Sequence, residues 1–345
     1  MNRLLRYTVI LVALTLWIGG CYHNVTVWLT DIGVVRDDYR YGDLYRLANL
    51  SQFRDPQAPC NSPDRANPQS DTHLYIIGDS FTEPSRIGAR DFPVSRYHYT
   101  HWEAPNRVQL DPSKRSVLLI ESVERHFREH LSKPVNQLSV VADTTRPLPT
   151  VDTPLWRAVL DRFRSEAVEP VLETVLFSHD PFMWLKEVKA DLTLRLFDRT
   201  HPRVALSTDR QHLLYNLDVD KAEIHSSFNP VPAVEINRLV DSLNAVRDRY
   251  RRLGFAEVYL SIIPNKTSIV DPTWAQYNHL IERVQGHPKL RVPVVDVYSR
   301  YVEQPDAVYA LGDSHWSCIG RARWLDEVDR VVFRAASPAS GVLSR

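Results

Sequence analysis

Between residues 73 and 333, short apolar runs alternate with segments of helical period. No other feature of the chain restricts its fold as much. A strand covered by helices on both faces has no wet side, so it is written as an unbroken apolar run rather than as an alternation. His73-Leu74-Tyr75-Ile76-Ile77 is such a run, and Gly78-Asp79-Ser80 closes it. Ser116 to Ile120, Ala256 to Ile263 and Val292 to Val297 are others, and Asn136 to Ala142 is a weaker one. Glu121 to Leu131 reads as a helix. Asp152-Thr153-Pro154 starts another over Thr153 to Pro170, with Leu155, Val159, Leu160 and Phe163 at helical spacing. Leu239, Val240, Leu243, Val246, Tyr250 and Leu253 share one helical face that ends at Gly254. Trp274 to Val284 and Ile319 to Phe333 complete the helical segments. The alternation predicts an α/β fold with a parallel, doubly wound sheet and helices on both faces.

The 345 residues are 43% hydrophobic, enough for one large core or two modest ones. Residues 1–30 read as a targeting segment: Arg3 and Arg6 precede the apolar run Tyr7 to Ile18, then Gly19, Gly20 and Cys21. Three readings stay open. It is a cleaved signal peptide, a lipoprotein signal with Cys21 lipidated, or an uncleaved signal anchor that Leu4, Leu5 and Val25 to Leu29 lengthen. The anchor is the favoured expectation, and the preceding charges then put the body outside the cytoplasm. Residues 31–72 read as a linker or surface arm, since Pro56, Pro59, Pro63 and Pro68 stand among polar residues. The body is expected over 73–335, with an insertion at about 171–230 that covers the site and a tail at 336–345. Cys60 and Cys318 remain as two cysteines that can pair in an oxidising compartment or stay free. Lys plus Arg equals Asp plus Glu, 42 against 42, which gives no general reason to expect nucleic acid. No Cys/His spacing is read as a metal site, and no cofactor is expected.

Two motifs carry chemistry. Ile76-Ile77-Gly78-Asp79-Ser80-Phe81 puts a serine at the carboxyl end of a buried strand, where open α/β sheets place their ligands. The Ser80 backbone N–H can point at a developing oxyanion there. The other motif is Gly312-Asp313-Ser314-His315-Trp316. A serine hydroxyl needs a base, histidine serves near neutral pH, and a carboxylate fixes the tautomer of that histidine. Ser80, His315 and Asp313 are therefore the candidate catalytic residues.

GDSF after the first core strand, with D-x-H-W near the C-terminus, resembles the SGNH (GDSL-type) hydrolase superfamily. The DSHW form is similar to proteins that O-acetylate alginate and related cell-envelope polysaccharides. Ile263-Pro264-Asn265-Lys266 resembles a Pro-x-Lys element of those proteins, and Gly320 fits the stretch after D-x-H-W. The resemblance covers about residues 73 to 333 on short motifs. It implies a flavodoxin-like three-layer sandwich, a Ser-His-Asp triad, an acetyl donor and a polysaccharide acceptor. It also implies an exported or membrane-anchored protein, with an acetyl-relay membrane partner as one expectation. Two departures stand. In the alginate proteins D-x-H-W precedes the serine motif, whereas here Ser80 comes first. The Gly-x-Asn-Asp motif that supplies an oxyanion Asn in ordinary members is absent.

Asn229 and Asn265 are candidate substitutes for that donor. Lys266 is expected to contact a sugar or to pin a loop, Trp316 to wall the site, and Trp102, with Tyr97 and Tyr99, to stack on a sugar or to lie in the core. Glu124-Arg125 reads as a surface pair within a helix. The expected function is extracytoplasmic O-acetyl transfer or acetyl-ester hydrolysis on a polysaccharide. The alternative is a non-catalytic, anchored protein of an envelope assembly that keeps the fold.

Overall fold

The computed structural model describes residues 3–21, 39–57, 59–141 and 179–334. The expected helix over Thr153 to Pro170, the stretch Val25 to Leu29, the first residues of the insertion and the tail at 336–345 lie outside the described residues. The chain divides into two compact units: Met1–Gln57 with Pro147–His201, and Ala58–Arg146 with Pro202–Arg345. Residues 202–230 thus belong to the larger unit, and the piece set apart from the body ends near His201 rather than at residue 230.

In the smaller unit, Arg3–Cys21 is one helix, and Leu4, Tyr7, Ile10, Leu11 and Leu14 on its several faces are all exposed. Among the described residues, no helix is long and apolar enough to cross a membrane. The stretch from Asp43 to Phe53 corrects the linker reading. Asp43–Ala48 is a short helix, and Leu44, Tyr45, Leu50 and Phe53 are buried. The intervening Tyr, Arg and Asp residues hid that apolar set from a reading by composition. A longer helix, Asp180–Phe197, turns Glu187 towards the Tyr45 hydroxyl and Asp191 towards Ser51.

The larger unit is built on β1 (Thr72–Gly78), β2 (Arg96–His101), β3 (Asn106–Val108), β4 (Arg115–Val123), β5 (Leu138–Val140), β6 (Val204–Leu206), β7 (Leu213–Tyr215) and β8 (Glu257–Ile263). Four of these form one wholly parallel sheet in the order β2-β1-β4-β8. Val294 adds a single parallel bridge beside Leu260. The order grows outward in both directions from the β1/β4 pair, and a crevice opens at the carboxyl ends of strands where such an order reverses. The registers align those ends, with Gly78 beside His101 and Val123 beside Ile263.

Alternate side chains of each strand supply two separate cores, as the period of two requires. Tyr75, Ile77, Leu118, Ile120, Val258 and Leu260 face the helices Glu124–Leu131, Ala233–Arg252 and Leu280–Gln285. Leu74, Ile76, Val117, Leu119, Tyr259 and Ile263 face Val297–Val302 and Cys318–Val328. The architecture is an α/β sandwich with a parallel middle layer.

Several local expectations shift. The strand before Glu124 runs on through Glu121 and Ser122, which are polar yet fully buried. The segment from Trp274 becomes helical only at Leu280, because His279 sits in the left-handed region at φ 55°. Val292 to Val297 gives only the Val294 bridge, since Pro293 has no N–H for a ladder and Val297 already begins a helix. Asn136 to Ala142 contributes β5, which pairs with β3 in a separate two-stranded sheet.

Candidate active site

The turn after β1 is held by carboxylates from below. Asp79 accepts from the backbone N–H of Phe81 (3.0 Å) and of Val123 (2.7 Å). Its own N–H donates to Glu121 Oε2 (3.0 Å), which also takes the Thr82 hydroxyl (2.7 Å). Tyr99 donates to the carbonyls of Gly78 (3.1 Å) and Asp79 (2.9 Å). Gly78 is needed because of this crowding. A Cβ there would lie 2.0 Å from Thr82 Oγ1 and 2.7 Å from Glu121 Oε2. Burial, and then the neighbouring Asp79 charge, push the Glu121 carboxyl well above the usual range.

Ser80 emerges from this turn half-buried, with its Oγ 2.8 Å from His315 Nε2. His315 Nδ1 lies 2.6 Å from Asp313 Oδ1, which also accepts the His315 backbone N–H at 2.9 Å. Asp313 and His315 are both buried. One carboxylate oxygen thus fixes the imidazole and its own loop together. The Ser80 backbone N–H has no acceptor among the described residues.

The loop carrying Asp313 and His315 is closed at its base by an antiparallel bridge between Tyr309 and Trp316. From beneath, the fully buried Lys266 ammonium donates to the carbonyls of Ala310 (2.7 Å), Leu311 (3.0 Å) and Asp313 (3.1 Å). Three fixed acceptors satisfy a charge that burial would otherwise penalise. Lys266 therefore pins the loop and does not face a sugar. Beyond the loop, Ser317 caps the helix Cys318–Val328 by accepting from Ile319 and Gly320. Cys318 is disulfide-bonded to Cys60, which ties the extended arm to this corner.

The remaining candidates are placed elsewhere. Asn265 is buried, accepts from the Arg125 N–H (3.0 Å) and donates to Ser227 Oγ (2.9 Å). Asn229 accepts from Arg128 (2.7 Å) and donates to the Lys221 carbonyl (2.9 Å). Both amides are spent on loop anchoring, which corrects their reading as oxyanion donors. Trp316 is buried against Phe81 and Trp324, and Trp102 is buried with its indole donating to the Glu121 carbonyl at 2.8 Å. Both tryptophans are core residues rather than substrate contacts. Tyr97 stacks on Phe92.

Glu124 and Arg125, read from sequence as a surface pair, are both buried and face different partners. Arg125 meets Asp218 at 2.8 Å, and Glu124 accepts from Ser268 Oγ (2.5 Å) and the Asn265 N–H (2.9 Å). Burial, helped by the Asp218 charge, outweighs those two hydrogen bonds and lifts the Glu124 carboxyl to about 7. Sequence reasoning also missed a row of imidazoles on the same helix. His126 and His130 have ring centroids 5.7 Å apart, His225 lies 5.5 Å from His126, and His130 stacks on Trp102 at 4.1 Å. Burial takes His126 and His130 down to about 4. The available signal was His126-Phe127-Arg128-Glu129-His130, which sets two imidazoles one helical turn apart. No protein-family model, no curated protein and no solved structure matches this chain.

Proposed function

We propose that this chain is a serine acyl-transfer enzyme of the SGNH type that works outside the cytoplasm, moving or removing acetyl groups on a polysaccharide. The observation that carries the reading is the 2.8 Å contact between Ser80 Oγ and His315 Nε2, with His315 Nδ1 held by Asp313. With Nδ1–H donating to Asp313, Nε2 is the nitrogen that accepts the serine proton. Ser80 Oγ attacks the acetyl carbonyl carbon while His315 takes its proton. The Ser80 backbone N–H faces the oxyanion. Collapse of the tetrahedral adduct expels the donor alkoxide, which recovers the proton from His315, and leaves acetyl-Ser80. A sugar hydroxyl or water then attacks with His315 as base, and Ser80 is released.

The strand order β2-β1-β4-β8 followed by the Val294 bridge supports the flavodoxin-like form of the sandwich. The Cys60–Cys318 disulfide supports an oxidising compartment. The exposed apolar helix Arg3–Cys21 supports attachment to a membrane, where an acetyl-relay partner can supply the donor. One observation favours the non-catalytic alternative: Asn229 and Asn265 are both committed elsewhere, which leaves a single oxyanion donor in view.

The experiment is to incubate the purified full chain with an activated acetyl ester and with oligosaccharide acceptors. Free acetate and O-acetylated product are then measured beside the mass of acetyl-Ser80. Ser80→Ala and His315→Ala are expected to remove turnover. Equal turnover in all three proteins would defeat the catalytic reading and leave the binding one.

A further inference from the structure

We infer that His126, Glu129 and His225 form a binding site for a divalent transition-metal ion of the zinc type. One ligand atom from each of the three lies within 4.8 Å of those of the other two. Two imidazoles and a carboxylate are a donor set that zinc takes while keeping a further position open for water or a ligand oxygen. His126 and Glu129 are three residues apart on the helix Glu124–Leu131, so both project from one face. His225 comes from the loop after β7, with its Nε2 3.5 Å from Glu129 Oε2.

A tetrahedral zinc needs donors about 3.3 Å apart, from bond lengths of about 2.0–2.1 Å. The half-exposed Glu129 side chain can swing to close the remaining gap, while the two rings are already in contact. The neighbouring cations are each ion-paired. Arg125 is paired with Asp218 and Arg128 with Glu235. His130 continues the row but has its Nδ1 2.8 Å from Ser122 Oγ and its ring on Trp102, so it backs the site rather than ligating.

The site lies on the carboxyl edge of the sheet, since its helix starts where the Val123 N–H meets Asp79, the residue before Ser80. It is nonetheless independent of the acyl-transfer reading. Metal binding does not need turnover.

The test uses the full chain, stripped with a chelator and titrated with Co²⁺, followed by Zn²⁺ competition. The expected result is one Co²⁺ per chain with the visible d–d absorption of a four- or five-coordinate centre, displaced by Zn²⁺. His126→Ala and His225→Ala should each weaken binding at least about tenfold, and Glu129→Gln should weaken it too. Ser80→Ala should bind as the parent does, and this holds whether or not the parent transfers acetyl groups. If an alanine variant fails to fold by circular dichroism, His126→Asn and His225→Asn read the same loss. Absence of the cobalt spectrum would overturn the proposal. So would an affinity unchanged in the His126/His225 double variant, which would mean an ion held elsewhere.

Discussion

Lys266 reaches no solvent, yet it decides whether the Asp313–His315 loop has a floor. Lys266→Met keeps the stem and removes the ammonium, leaving the carbonyls of Ala310, Leu311 and Asp313 without it. A loss of about 2–4 kcal/mol in unfolding free energy is expected, together with a fall in kcat larger than any rise in KM. Denaturant unfolding and steady-state kinetics check both, and an unchanged kcat would remove the positioning role. Glu124 makes a pH prediction. Its carboxyl titrates at about 7 in the folded protein against 4.5 ordinarily. Between those values the folded state keeps a proton that the unfolded state has released, so stability falls as pH rises from 4.5 to about 7. The loss is about 3 kcal/mol at most. Glu124→Gln should therefore gain on the parent between pH 5 and pH 8 in urea unfolding. A parent-to-variant difference that stays level across that range would refute the assignment.

Among the elements, β1 and its turn are the most tightly specified. Gly78→Ala drives a Cβ into Thr82 and Glu121, and Glu121 cannot retreat because it holds the Asp79 N–H. We expect a destabilisation of about 2–3 kcal/mol and a drop in acetyl-ester turnover, measured by thermal unfolding and by rate. A variant as stable as the parent would show that the turn relaxes freely. This is also the part of the molecule most legible in the sequence. An apolar run closed by Gly-Asp-Ser gave away β1, and Asp-x-His, two residues apart on one loop, brought the base to the serine. Less legible were positions where a polar or charged side chain is buried against a distant partner. Glu121 and Ser122 looked like the start of a helix, and Glu124-Arg125 looked like a solvated pair. Asn265 and Lys266 could equally have faced a substrate. Their partners Asp218, Ser268 and Ala310 lie about 40 or more residues away, so no local pattern could announce them. The helical period that started too early at Trp274 failed for a backbone reason, the left-handed His279.

Across the whole molecule, the Cys60–Cys318 bond closes a span of 258 residues. In the chain-entropy account a loop of that length stabilises by about 5.6 kcal/mol, with measured values commonly about 2–4. Cys60→Ser should lower the unfolding temperature of the oxidised protein, and a reductant should lower that of the parent but not of the variant. Equal response of both to reductant would assign the effect to something other than this bond. The contact between Ser80 and His315 spans nearly the same distance, 235 residues. Everything that shapes the site, from β1 through Lys266 to the bridge at Tyr309, must be made and folded before the two side chains meet. A growing chain that has released only its first 300 residues carries the serine and no base. On the proposed acyl-transfer reading, a nascent or truncated copy that lacks His315 therefore stays chemically silent.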